Sequence, residues 1–497
     1  MTEKSASDEL HIIIIGGSIA GLTLAHALTA LNTSLLQDNT QTHRAKIRFT
    51  VLEKRTSLTP QEGASIGILP HGGRILDQLG LFECVEKEIA PLHTAHLRFP
   101  DTNRFVLTND SPRVIGESFG FPFAFLERRT LLCILADRLG LGQRGKVTKD
   151  GGEGSQVLCD KEVARVELIA DSGGKREGVL VRTKDGEDYK GDLVVGCDGV
   201  HSIVRREMWR ISAEDGEIME PVGRDGLTAE YGCVFGISSA VPGFPPGEHV
   251  ASLNDKRSFL TFPGNHDRTF WFLIWKLDRL YSDGDMPRFA TTDVASVVEK
   301  YANDIIWGEV AFRDLWTRRT RHNMTVLEEN VFENWHHKRI VCIGDSIHKI
   351  APNTGQGANC AIEDAAGLAN LLHEFLIASP SSKPSTEQLD NRLRRYTAER
   401  KARMHKIHKV ARLVVRLQAR DTFFLRFFAR YVLPYAGKIQ ARGASQAIKG
   451  AARLNFIPIP TRAANGWTEN TTGSGKEIWG VILGLMFVLG LIWTRRG

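Results

Sequence analysis

An α/β domain, interrupted by a β-rich insertion and followed by a basic helical region, is the fold class this sequence predicts. Three observations carry it. An apolar strand, His11 to Ile15, ends in the glycine-rich turn Gly16-Gly17-Ser18-Ile19-Ala20-Gly21 and gives way to helical apolar spacing from Ala20 to Leu31. A second apolar strand, Arg339 to Ile343, returns far downstream with a helix behind it from Ala358 to Leu372. Between them, Leu227 to Lys276 is strand-like and is broken by Pro242, Pro245, Pro246 and Pro263. Strands from the two ends of the body therefore share one α/β domain, and the β-rich middle is a second domain inserted between them.

Along the chain, Met1 to Leu10 is polar and acidic, unlike a signal peptide. Ile47 to Leu52 is a second strand, reached after a polar insertion from Asn32 to Lys46. Helices follow around Gly72 to Leu79 and from Arg129 to Leu139. Gly140 to Gln156 is rich in glycine and charge and reads as a surface loop, after which strand-like runs alternate up to Gly196.

Composition narrows the class. The chain has 497 residues, 42% hydrophobic and 25% charged, enough for a sizeable core. Its seven cysteines (Cys84, Cys133, Cys159, Cys197, Cys233, Cys342 and Cys360) show neither a CxxC nor a ligand-like spacing, which argues for reduced core residues and against a disulfide framework or a zinc site. The net charge of +6 hides an asymmetry: Arg392 to Arg453 holds 17 Lys/Arg and only two acids, Glu399 and Asp421. Phe423, Phe424, Phe427, Phe428 and Tyr431 lie in the same stretch, so a solvated helical face or an anionic membrane surface fits it better than nucleic acid.

Near the C-terminus, Ile478 to Trp493 is 16 residues without a charge, with Trp479 and Trp493 near its edges and Arg495-Arg496 behind it. That pattern predicts a membrane helix, since tryptophans favour the bilayer interface. The resulting organisation is residues 1–220 for the first part of the α/β domain with part of the interleaved β-rich region, 221–330 for the β-rich domain, 331–380 for the rest of the α/β domain, 381–460 for the basic helical region, 461–477 for a linker and 478–494 for the membrane helix.

Three motifs carry chemistry. The first is the turn at Gly16, where a strand ends and a helix begins with free N–H groups able to meet a pyrophosphate. Gly16 makes the turn, Gly21 lets helix and strand approach, and Ser18 replaces the usual middle glycine. Glu53, ending the next strand, offers a carboxylate to ribose hydroxyls, displaced along the chain by the Asn32–Lys46 insertion. The second motif is Gly191 to Arg205, containing Asp198-Gly199. The third is Arg339 to Asn359, containing Gly344-Asp345 and a Pro/Gly loop that leads into the helix at Ala358. In both, an apolar strand delivers an acid to a turn, and the late helix start supplies a partial positive charge of roughly half an electron.

With Leu52-Glu53-Lys54-Arg55, Gly63 to Gly67, Arg74 to Gly80 and Glu127-Arg128, these motifs resemble the group A flavoprotein monooxygenases. The chain is most similar to the fungal paxilline-type FAD-dependent monooxygenases of meroterpenoid and indole-diterpene biosynthesis. The resemblance runs from about residue 11 to about residue 372. It implies a glutathione-reductase-like FAD-binding fold, FAD as cofactor, NADPH as reductant and O2 as co-substrate. It also implies epoxidation of a terminal alkene on a prenyl chain.

Carried over residue by residue, Gly16, Gly17, Ser18 and Gly21 form the dinucleotide turn, Glu53 binds the adenosine ribose and Gly67 approaches the flavin. Arg128 meets the pyrophosphate region, Gly344-Asp345 the ribityl chain, and Gly355, Gly357 and Ala358 the flavin ring. Asp198, Gly199 and Arg205 would serve FAD and transient NADPH. Tyr231 matches a tyrosine facing the flavin, where it would orient substrate or a bound oxygen species; a core tyrosine bonded within the sheet is the alternative. Trp271 and Trp275 read as core more than substrate wall, and His201 and His348 as turn residues in contact with backbone. His71 departs from the family's Asn.

Epoxidation of polyene polyketides, hydroxylation of phenols and flavin-dependent reduction of prenyl double bonds are rival activities. A non-enzymatic prenyl carrier fits less well, because the flavin motifs are intact. The C-terminal helix suits a membrane-dissolved substrate and points to the endoplasmic reticulum, with the catalytic body in the cytosol.

Overall fold

The computed structural model describes residues 9–37, 46–61, 63, 65–102, 104–170, 176–217, 226–378, 383–435 and 437–468. Its first sheet has six strands. Glu9–Ile15 lies at the centre, flanked by Lys46–Leu52 and Leu193–Gly196, with Gln156–Leu158 outside the former and Ile340–Cys342 outside the latter. These five run parallel, and His336–His337 adds an antiparallel edge. A strand buried on both faces needs apolar residues at every position. The isoleucines obey this: Ile12 and Ile14 enter one core, Ile13 and Ile15 the other. Each such burial contributes about 1.5–3 kcal/mol.

Helices Ile19–Gln37, Arg128–Leu139 and Gln356–Ala378 cover the first core. The Ile19–Gln37 helix alone, among the described residues, is long and apolar enough to cross a membrane. It is mostly buried against the sheet, as a core helix should be. It also carries the expected polar insertion partway: Asn32 is helical, and its side chain bonds Ile47 and Gly151 across the fold at 2.6–2.9 Å.

The second large sheet has eight strands in the order His348–Lys349, Arg319–Val331, Thr228–Ser239, Arg268–Ser282, Arg257–Pro263, Glu248–Asn254, Thr94–Arg98 and Leu107–Asn109. Strand Arg268–Ser282 divides its aromatics by parity. Phe270, Phe272 and Ile274 join the core on one face, while Trp271, Leu273 and Trp275 pack on the other under helices Thr291–Tyr301 and Phe312–Thr317. Both tryptophans are therefore core. Gly232 and Gly236 make room for them, since a Cβ there would sit 2.2 and 2.3 Å from the two indole rings.

Two further elements differ from the sequence expectation. The late helix begins at Gln356, two residues before Ala358, because the turn Pro352–Thr354 and a left-handed Gly355 (φ +64°) feed directly into it. Thr461 to Thr468, expected as the start of a linker, is docked. Arg462 pairs with Glu86 at 2.8 Å, the Trp467 indole donates to the Phe119 carbonyl at 2.9 Å, and Arg74 lies 3.5 Å over the Trp467 ring. The run Ile478–Trp493 lies outside the described residues.

Candidate active site

A cleft of about 660 Å³ runs between the parallel sheet and the eight-stranded sheet. The three motifs converge on it: Gly16 and Ser18, Glu53, Gly67, Arg128, Asp198 and Gly199, Asp345, Gly355, Gly357 and Ala358 all line it.

The turn after the first strand is dictated by contact distances. Gly16 has φ +107°, and a Cβ there would stand 2.3 Å from the Cys197 carbonyl oxygen. A Cβ on Gly21 would stand 2.0 Å from the Gly16 carbonyl oxygen, so only glycine lets the helix rise this close to the strand. Gly17 donates its N–H to Glu53 Oε2 at 2.7 Å, and Arg55 donates to Glu53 Oε1 at 3.0 Å. These bonds fix a buried carboxylate that keeps further lone pairs to offer. Arg128 Nη2 donates to the Ser18 hydroxyl at 2.7 Å, which gives the serine of this variant turn a partner a glycine would lack.

On the other stretch of the cleft, Asn359 is fully buried and holds three backbone segments together. Its Oδ1 accepts from Leu69 N–H at 3.0 Å, while its Nδ2 donates to the Gly67 and Gly355 carbonyls, both at 2.8 Å. Asn359 closes the third motif without an assigned role in the sequence, and its place four residues after Gly355, one helical turn on, is the signal for this one. Beside Gly67 stands an aromatic wall. Phe123 approaches both Gly67 and Gly355, Phe125 stacks on Phe262 at 3.8 Å, and Phe235 and Phe272 lie 6.3 Å apart.

A buried ionic network underlies the Gly344-Asp345 turn. Asp364 Oδ2 accepts from Gly344 N–H at 2.9 Å and lies 2.5 Å from His348 Nε2, and Arg400 Nε donates to Oδ1 at 2.8 Å. Arg400 and Arg403 also bind Glu363. Burial pushes the Asp364 carboxyl up, but the charges of His348 and Arg400 hold it down at about 2. His348 thus pairs with a carboxylate rather than with backbone. Asp345 faces the cleft and is paired with Lys349. His201 is exposed at the cleft lip, 3.6 Å from Glu328.

Two expected site residues are placed otherwise. Arg205 is fully buried; its guanidinium donates to the Ser346 and Val200 carbonyls and lies 4.1 Å over the Phe332 ring. It braces the two acid-bearing turns and does not face the cleft, because its helix turns it toward the second core. Tyr231 is 3% exposed, and its hydroxyl donates to Asp421 Oδ2 at 3.1 Å, with Lys276 on the other carboxylate oxygen. Burial and the Asp421 charge push the phenol pKa upward. It is a core tyrosine tied to the helical region and is not among the residues that line the cleft. Asp198 touches the cleft, but its carboxylate also accepts from Ser202 Oγ and from the Ile203 and Val204 N–H groups, so it anchors the start of helix Ile203–Glu214.

The cleft fits a dinucleotide cofactor. Among the described residues, the buried Ser65 hydroxyl at its lip has no partner, and a Cβ on Gly357 would meet nothing within 4 Å. The first N–H groups of helix Gln356–Ala378 have no intrahelical acceptor. Sheet order, glycine turns, acid-tipped strand and late helix start together define a flavin-binding α/β protein.

Comparison with known proteins gives the class its content. A family model described as an FAD binding domain matches residues 151–411. The FAD-dependent monooxygenase olcE of Penicillium canescens is 49% identical over 97% of this chain and 97% of its own. The FAD-dependent monooxygenase paxM of Penicillium paxilli is 40% identical over 97% of this chain and 94% of its own. Among solved structures, Klebsiella pneumoniae HpxO complexed with FAD and uric acid has the same fold, with a TM-score of 0.67 at 19% identity over 89% of this chain and 97% of that one. The chain belongs to the fungal FAD-dependent monooxygenases of secondary metabolism, and FAD is its cofactor.

Proposed function

We propose that this chain is an epoxidase that draws electrons from NADPH and transfers one atom of O2 to an alkene of a hydrophobic, prenylated intermediate. The observation that carries this reading is the pair Phe125 and Phe272 on the cleft lining beside Gly67 and Gly355, backed by Phe123, Phe235 and Phe262. An alkene needs no base to become nucleophilic, whereas a phenol does, and this wall offers carbon where a hydroxylase would want a proton acceptor.

In this reading Glu53 takes the adenosine ribose, while Arg128 and the turn at Ser18, shaped by Gly16, Gly17 and Gly21, take the pyrophosphate. Gly344 and Asp345 take the ribityl chain, and Gly67, Gly355, Gly357 and Ala358 take the isoalloxazine ring. Bound FAD supplies the redox and oxygen-activating chemistry, which side chains lack. The protein binds, orients and keeps water out. Arg128 would set positive charge against the diphosphate, the first N–H groups of the Gln356 helix would offer donors to the flavin, and the aromatic side chains would keep water from the reacting carbon.

We propose further that Ile478–Trp493 anchors the body on the cytosolic face of the endoplasmic reticulum, close to a substrate that partitions into lipid. Purified protein should oxidise NADPH slowly alone and faster with a prenylated phenol or indole, and one atom of labelled O2 should appear in an epoxide or its cyclised product. Reduced product without oxygen uptake would mark a prenyl reductase instead, and ring-hydroxylated product would overturn the epoxidase.

A further inference from the structure

We infer that helix Phe423–Tyr431 and the turn after it form a docking face for an anionic bilayer. Phe423, Phe427 and Tyr431 are 81%, 38% and 61% exposed, and they recur every four residues, so they form one stripe. The Phe427 and Tyr431 rings stand 4.8 Å apart, and Tyr435, 88% exposed, extends the stripe. The opposite side is held down: Ala429 and Leu433 are buried, and Asp421, just ahead of the helix, is bonded to Tyr231 and Lys276 of the large sheet. The aromatic side is therefore kept facing outward.

The rim supplies charge. Arg420 and Arg426 face Asp255 at 3.3 and 3.5 Å, and Arg430 faces Asp101 at 2.9 Å. Arg104 shares a surface hollow with Arg430 and Tyr435, and exposed Lys256 adjoins Asp255, so these cations outnumber the two carboxylates. Aromatic side chains ringed by cations match the interface of an anionic bilayer. A second copy of the chain would instead bring two arginine-rich rims together. The chain length agrees: ten residues, Thr468–Glu477, separate docked Trp467 from Ile478, a reach of at most about 36 Å. The orientation rests on the anchor proposed above, whereas the face itself needs no anchor. A bilayer seated here would also lie beside the eight-stranded sheet, in whose core Ala429 and Leu433 are packed.

The test uses the full chain carrying Leu485→Arg and Val488→Arg, which stop the tail from spanning a membrane. It should co-sediment with phosphatidylcholine–phosphatidylserine vesicles, less with phosphatidylcholine alone, and less at high salt. Adding Phe423→Ser, Phe427→Ser and Tyr431→Ser should weaken binding about tenfold or more while flavin content stays constant. Binding unchanged by the three serines, or no binding to either vesicle, would overturn the inference. So would a dimer that the serines dissociate without any vesicle binding. As a second measurement, hydrogen exchange of 423–431 in the unaltered chain should be slower in anionic nanodiscs than in detergent, and equal rates would count against the face. Carbonate extraction of the unaltered chain tests the tail separately, so the anchor can fail while the face stands.

Discussion

Asn359 sets the spacing of the cleft around Gly67 and Gly355 through three hydrogen bonds from one buried side chain. Leucine there would strand three backbone groups, each costing about 1–3 kcal/mol, in a protein whose total stability is about 5–15 kcal/mol. Asn359→Leu is expected to purify with little FAD, read as visible absorbance against protein absorbance, and to melt several degrees lower. Glu53→Ala should weaken FAD binding about tenfold or more in equilibrium dialysis while leaving the fold intact. Tyr231→Phe removes only the bond to Asp421, so product formation should stay within about twofold of the parent. An order-of-magnitude loss would return the tyrosine to the chemistry. The glycines and Glu53 were legible in the sequence because backbone sterics and strand spacing fix them locally. Tyr231 and Arg205 were not, since their partners, Asp421 and Ser346, lie far away along the chain.

At the scale of elements, the first strand and helix depend on a single approach. A side chain on Gly21 would overlap the Gly16 carbonyl, so Gly21→Val should yield insoluble protein, checked by the soluble fraction at low temperature. Strand existence was readable from the apolar runs, since both faces of the parallel sheet are covered. Helix ends were less so: the Gln356 start depends on the left-handed Gly355, a conformation that composition does not report. The docked Thr461–Thr468 segment escaped for another reason. Its polar composition suits a linker, yet Arg462 and Trp467 find partners at Glu86, Phe119 and Arg74 that only the folded body brings near.

Across the whole molecule, burial lowers the pKa of His26, His71 and His249 to about 4, well below the ordinary 6.5. Each is neutral when folded and takes up a proton on unfolding between about pH 6.5 and 4. The unfolded chain binds more protons in that window, so stability is full above it and is lost as pH falls through it, by up to about 1.4 kcal/mol per unit for each histidine. Tm should therefore fall steeply below pH 6, and His71→Asn should flatten the curve; a flat parent profile would contradict the burial of these rings.

The most direct test is an experimental structure of the FAD-bound protein. The account predicts a dinucleotide along Gly16 to Gly21 with its ribose hydroxyls at Glu53. The isoalloxazine should lie between Gly67 and the Gln356 helix start, one face open to Phe272. A flavin bound outside this cleft, or one whose ring lies at Glu53 and whose adenine lies at the aromatic wall, would contradict it.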